Sequence, residues 1–296
     1  MLKLLKSSPV SVPVLTAVVY LLLSLCGKYV SPQSIGSDNV FLVIVVIQLL
    51  VFVVPCFIYR EIKHDGERTK IAGGKLTLSN TVLAVGGFLV LLFGSYLIRL
   101  AFYQNGAEIG TDKGYMDSLF VGADGGVGVF LAYCLVPAVC EELFFRSVVI
   151  NEYKSYGAFN AVLISALYFT MVHFTSEGFF VYFFAGILLG TVAFVSRSVI
   201  TSMLIHVAYN TVVLYGRSTF ISKTVYNTSA IFVAFVLLVL FLASLAFMLS
   251  RMEIAYNGFA KSEKELPPKS VEHLYIYITP ALVVPIAVFV IINTLL

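Results

Sequence analysis

Tryptophan is absent from this 296-residue chain, and charge is scarce, with only 12% of residues being Asp, Glu, Lys or Arg. A soluble domain carries roughly 25% charged residues, so a water-exposed globule is excluded. The 59% apolar content and mean hydropathy of +0.97 instead describe an integral membrane protein. Without tryptophan, tyrosine and phenylalanine must supply any aromatic belt at the membrane surface. The formal net charge of +3 is too small to point to nucleic acid. Cys26, Cys56, Cys134 and Cys140 all fall in apolar stretches. None forms a CxxC pair and no Cys/His spacing fits a zinc finger, so they are read as small core or lipid-facing residues. No HExxH occurs, which excludes a standard zincin site.

What is present is a succession of long apolar runs. A helix needs about 20 apolar residues to cross the hydrocarbon core. Nine candidate segments meet or approach that length, at 11–30, 40–60, 81–104, 127–150, 158–175, 178–196, 198–215, 228–250 and 273–295. The expected fold is an all-α polytopic membrane protein, a single transmembrane domain over 1–296, with about eight to nine spanning helices and an intramembrane cavity. The core helices are expected within 125–215. Lys3 and Lys6 precede the first segment, which has no A-x-A-like end, as expected of a retained anchor. The stretches 60–75 and 251–269 are basic, whereas 104–126 is acidic. With Lys154 and Arg197 on the same side as the basic stretches, the positive-inside rule puts the N-terminus in the cytoplasm. Short loops and small size point to a bacterial cell membrane.

Within the fourth segment the chain reads Leu-Val-Pro-Ala-Val-Cys-Glu-Glu-Leu-Phe-Phe-Arg over 135–146. Each ionised carboxylate at membrane depth costs roughly 2.5 kcal/mol or more unless partnered. Glu142 and Arg146 are four apart on one helical face and can pair. That leaves Glu141 on an adjacent face for another task. Pro137 denies the Tyr133 carbonyl its helical donor and is expected to bend the helix there. In the fifth segment Ser165, Phe169 and His173 form one stripe. Counted outward from a turn near Gly157, Glu141 and His173 are equidistant, which predicts a carboxylate beside an imidazole. In the seventh segment His206 and Asn210 share a face and offer donors suited to a developing oxyanion. Gly186 and Gly190 make a GxxxG that lets helices five to seven converge. Together these groups could activate a water, with Glu141 as general base. Alternatively, Glu141, His173 and His206 could hold a divalent metal such as zinc. Spacing does not choose between the two.

The motifs Glu141-Glu142-Leu-Phe-Phe-Arg146, Phe169-Thr-Met-Val-His173 and His206-Val-Ala-Tyr-Asn210 resemble those of the CAAX protease and bacteriocin-processing family of intramembrane endopeptidases. In that family EExxxR, FxxxH and HxxxN lie on successive core helices. The resemblance covers about residues 125 to 215. It implies an eight-helix-type core, Glu141 as the essential base supported by Glu142 and Arg146, and His173, His206 and Asn210 in the roles above. A metal-dependent and a metal-free glutamate mechanism have both been put forward for the family. The substrates implied are peptides or small membrane proteins met within the bilayer. Alternatives are a non-catalytic immunity or peptide-binding scaffold, and a proton-coupled transporter. The transporter reading lacks the paired repeats common in such proteins.

Overall fold

The structure, a computed structural model, describes residues 8–29, 39–62, 74, 76–104, 126–175, 178–216, 229–260 and 269–295. The basic stretch 60–75 and the acidic stretch 104–126 lie largely outside these, as do residues 261–268 of the basic stretch 251–269. Among the described residues every regular element is helical. The helices are α1 (Ser8–Tyr29), α2 (Val40–Glu61), α3 (Leu78–Gln104), α4 (Val127–Tyr156), α5 (Ala158–Met171), α6 (Phe179–Ser196), α7 (Val199–Gly216), α8 (Ala230–Ala260) and α9 (Pro280–Leu295). A 3₁₀ segment, Ser270–Ile278, leads into α9. α3 pairs with α8, α5 with α6 and α1 with α9, while α7 packs on both α3 and α4.

Six of these helices are long and apolar enough to cross a membrane. A seventh span is added if Ser270–Ile278 and Pro280–Thr294, bent by 43°, count as one. Length and composition therefore give six to seven spans where eight to nine were expected. The difference lies in α5 and α7. α5 has 14 residues, so it reaches about 21 Å at 1.5 Å per residue, short of a hydrocarbon core of about 30 Å. Most of its side chains are buried against neighbouring helices.

α5 stops short because its last turn tightens. The N–H groups of His173 and Phe174 bond to the carbonyls of Thr170 and Met171, an i to i+3 pattern. Phe174 then takes a left-handed φ of 48°, a conformation costing a non-glycine residue about 1–2 kcal/mol. Packing offsets that cost: the Phe174 ring stacks on Phe289 and meets Tyr20 edge-on. The α4–α5 turn uses Gly157 at φ 98°, where a side chain would also run into Ser270.

α4 is not a regular α-helix. Leu131–Leu135 and Leu143–Val149 are π-helical, and the α-helical stretch between them, Val136–Glu142, carries both carboxylates. Proline supplies the first reason. Pro137 offers no N–H to the Tyr133 carbonyl, and in a π register each carbonyl accepts from five residues on. The Val136 N–H bonds in this way to the Leu131 carbonyl. The bend expected at Pro137 is thus realised as a widened turn.

α5 and α6 approach closely where Gly186 faces Ala166. A Cβ added at Gly186 would lie 2.8 Å from the Ala166 Cα, whereas at Gly190 the nearest atom would be a Val162 methyl at 3.3 Å. Glycine to alanine gains about 0.5–1 kcal/mol of helix propensity, and overpacking costs about 1–3 kcal/mol. Gly186→Ala is therefore expected to lower the thermal unfolding temperature of the detergent-solubilised protein, and Gly190→Ala to leave it unchanged or raise it. Equal behaviour of the two variants would contradict the α5–α6 contact.

Candidate active site

The two glutamates of α4 have different surroundings. Glu142 is fully buried. Its Oε1 lies 3.0 Å from His206 Nδ1 on α7, and its Oε2 lies 3.0 Å from Arg146 Nε, one turn on. Arg146 is itself buried, with its guanidinium carbon 4.7 Å from the centre of the Phe169 ring and 5.8 Å from that of Phe145. The Arg146–Glu142 contact is close, but neither partner atom meets hydrogen-bond geometry there, and Nη1 and Nη2 have no hydrogen-bond partner among the described residues. The pair is held by charge and by the aromatic faces beneath the guanidinium.

Glu141 is also buried, and among the described residues its Oε2 accepts no hydrogen bond. The ionisable groups close enough to act on it are His206, Glu142 and Arg146. A buried carboxylate oxygen without a donor is costly and is suited to receive a proton from a polar group brought to it.

His173 follows the last turn of α5. Its Nδ1 lies 2.8 Å from the Phe169 carbonyl. A carbonyl can only accept, so Nδ1 carries the hydrogen and donates, which leaves Nε2 of the neutral ring with its lone pair. The imidazole stacks on Tyr182 of α6 at 3.7 Å between centroids and 21° between planes. Phe169 meets the His173 ring at 4.9 Å and the His206 ring at 5.7 Å. One phenyl group therefore touches both imidazoles and the guanidinium. The side chain of Asn210, half-buried and one turn beyond His206, makes no hydrogen bond among the described residues.

The fold thus brings Glu142, Arg146 and His206 into direct contact, with Glu141 beside them. The expected pairing of Glu141 with His173 is not among the contacts; the direct carboxylate–imidazole contact is Glu142 with His206. Counting from a turn fixes depth along a helix but not rotation about it, and rotation selects the neighbour. Among the described residues no three His, Cys, Asp or Glu side chains are grouped so as to hold a metal ion. Glu141, His173 and His206 therefore do not form a ligand set here. Tyr182 and Phe174, which fix the His173 ring and the turn after it, carried no signal in the sequence. Phe169 stood in the stripe with His173, but only the fold reveals its contacts with Arg146 and His206.

Removing one member of a buried ion pair costs about 3–5 kcal/mol because a charge is left uncompensated. Arg146→Met is accordingly expected to destabilise the protein strongly in thermal unfolding, and Arg146→Met with Glu142→Gln to recover part of the loss. A single variant as stable as the wild type would contradict the ion pair.

Residues 124–212 match the family model described as type II CAAX prenyl endopeptidase, Rce1-like. No curated protein and no solved structure matches the chain at a significant level. The matched stretch runs from the start of α4 well into α7 and takes in Glu141, Glu142, Arg146, His173, His206 and Asn210, so over this core the chain is similar to the CAAX endopeptidases.

Proposed function

We propose that this protein is an intramembrane endopeptidase that cleaves membrane-associated peptides or protein tails with a water activated by Glu141. The observation that carries the reading is the buried, donorless Oε2 of Glu141 beside a second carboxylate already engaged by Arg146 and His206. Glu142 cannot serve as base without giving up its partners, whereas Glu141 can.

In this mechanism Glu141 takes a proton from water as the water oxygen bonds to the scissile carbonyl carbon. The carbonyl oxygen becomes an oxyanion. His206, its Nδ1 held by Glu142, and the Asn210 amide are the groups offered to that oxyanion as donors. Glu141 then passes its proton to the leaving nitrogen as the carbon–nitrogen bond breaks, and returns to carboxylate. His173 Nε2 orients the water through its lone pair. No step is routed through a metal, since the residues do not gather as ligands.

The protein is read as sitting in a bacterial cell membrane, with the N-terminus and the turn at Lys154 in the cytoplasm. Exposed basic residues at the α4–α5 and α6–α7 turns, Lys154 and Arg197, support that orientation. Lys154→Cys is expected to react with an impermeant thiol reagent only from the cytoplasmic face, and labelling from outside intact cells would reverse it.

The test of activity is cleavage of a membrane-tethered peptide by purified protein in lipid nanodiscs. Glu141→Gln is expected to lose at least about 100-fold in kcat. His206→Gln or Asn210→Ala is expected to lose about 10² to 10³ in kcat with KM little changed. Loss of activity with a chelator would call for a bound metal. Persistence with chelator and loss in Glu141→Gln would support glutamate alone. A processing or immunity phenotype that survives both Glu141→Gln and Glu141→Ala would sink the enzyme reading.

A further inference from the structure

The end of α5, where His173 stands, is fastened to two helices that lie outside the matched stretch 124–212. Tyr20 of α1 is fully buried, and its hydroxyl donates to the Tyr168 carbonyl at 2.8 Å. The Tyr168 hydroxyl donates in turn to the Ala281 carbonyl near the start of α9. Past His173, the Phe174 ring stacks on Phe289 of α9, with 6.1 Å between centroids and 11° between planes. It also meets the Tyr20 ring edge-on at 5.9 Å. Ala281 and Phe289 lie about 12 Å apart along their helix at 1.5 Å per residue, and Tyr168 and Phe174 about 9 Å. α9 therefore runs alongside the end of α5 and touches it on both sides of His173. α1, itself packed on α9, touches the same two residues through Tyr20.

What this bracing holds is a strained backbone. Phe174 has a φ of 48°, a left-handed conformation that a side-chain-bearing residue keeps only when its surroundings impose it. It directly follows His173 and sets the direction in which the chain leaves for α6. Tyr182 stands in the first turn of α6, and its ring lies flat on the His173 imidazole. From the α5 side, the Phe169 carbonyl holds the Nδ1 hydrogen of that imidazole. The ring is thus gripped between α5 and α6 only while the chain turns left-handed at Phe174. Glycine would adopt that turn without strain. A phenylalanine in its place makes the turn depend on Phe289 and Tyr20.

We propose that α1 and α9 act on catalysis through this contact. Tyr20 and Phe289 are positioning residues: they hold Phe174 left-handed and so keep His173 where its Nε2 meets the attacking water. This role rests on the endopeptidase reading, and it gives helices outside the matched stretch a part in the reaction. Drawing α9 away from the end of α5 switches the site off without touching either glutamate.

The test is a double-mutant cycle on the full chain in lipid nanodiscs, with the membrane-tethered peptide as substrate. Phe289→Ala is expected to lower kcat about five- to thirtyfold with KM little changed, the factor that matches an unsupported left-handed residue. Phe174→Gly is expected to stay within about threefold of the wild type, since glycine keeps the turn unaided. In the Phe174→Gly background, Phe289→Ala is expected to cost less than about twofold. A loss of packing alone would lower activity equally in both backgrounds. A second readout needs no cleavage: the ring-nitrogen NMR resonances of His173, assigned by their disappearance in His173→Gln. They are expected to broaden or double in Phe289→Ala and to stay single in Phe174→Gly with or without Phe289→Ala. A wild type that cleaves nothing, or a Glu141→Gln that cleaves as fast, would defeat the endopeptidase reading, and the resonances alone then decide whether α9 holds His173. Full activity in Phe289→Ala, equal losses in both backgrounds, an inactive Phe174→Gly, or unchanged His173 resonances in Phe289→Ala would overturn the proposal. Phe289→Leu takes the place of Phe289→Ala in the same cycle if the alanine variant does not fold.

Discussion

The contact of Glu142 with both Arg146 and His206 organises the site. In an apolar medium a lone carboxylate is costly, and so is a lone guanidinium. Glu142 ties one to the other along α4 and reaches across to α7 with its second oxygen. That arrangement fixes the rotation of α4 about its axis. It also fixes the His206 ring by its Nδ1, and so determines what Nε2 can do. Because Glu142 is occupied, the proposed function gives the role of base to its neighbour Glu141.

Around this contact the helices are shaped for proximity rather than for length. α5 and α7 are shorter apolar helices, and most side chains of α5 are buried against its neighbours. The GxxxG face of α6 brings Gly186 against the α5 backbone at Ala166. α4 widens into π turns on both sides of the two glutamates, a feature frequent at functional sites. Phe169 fills the centre, touching His173, His206 and Arg146. The ring covers one side of the buried guanidinium and touches both imidazoles.

Much of this was legible in the sequence. The apolar runs at 178–196 and 198–215 became Phe179–Ser196 and Val199–Gly216 almost residue for residue, because glycine, serine and arginine at their ends punctuate clearly. The pairing of Glu142 with Arg146 follows from a four-residue spacing on one helix. What spacing within a helix does not encode is the partner on the next helix. The Glu142–His206 contact, the stacking of Tyr182 on His173 and the left-handed turn at Phe174 all depend on how separate helices rotate and dock. The segment 158–175 was read too long for the same reason. Its composition continues past Met171, but packing of Phe174 on Phe289 and Tyr20 ends the helix.

The most direct test is an experimental structure of the Glu141→Gln protein with an uncleaved membrane peptide bound. The expected result is a scissile carbonyl within hydrogen-bond reach of His206 Nε2 and one water away from residue 141, with Glu142 still joined to Arg146 and His206. A peptide seated elsewhere in the bundle, or a Glu142 released from His206 on binding, would contradict the assignment of the two glutamates.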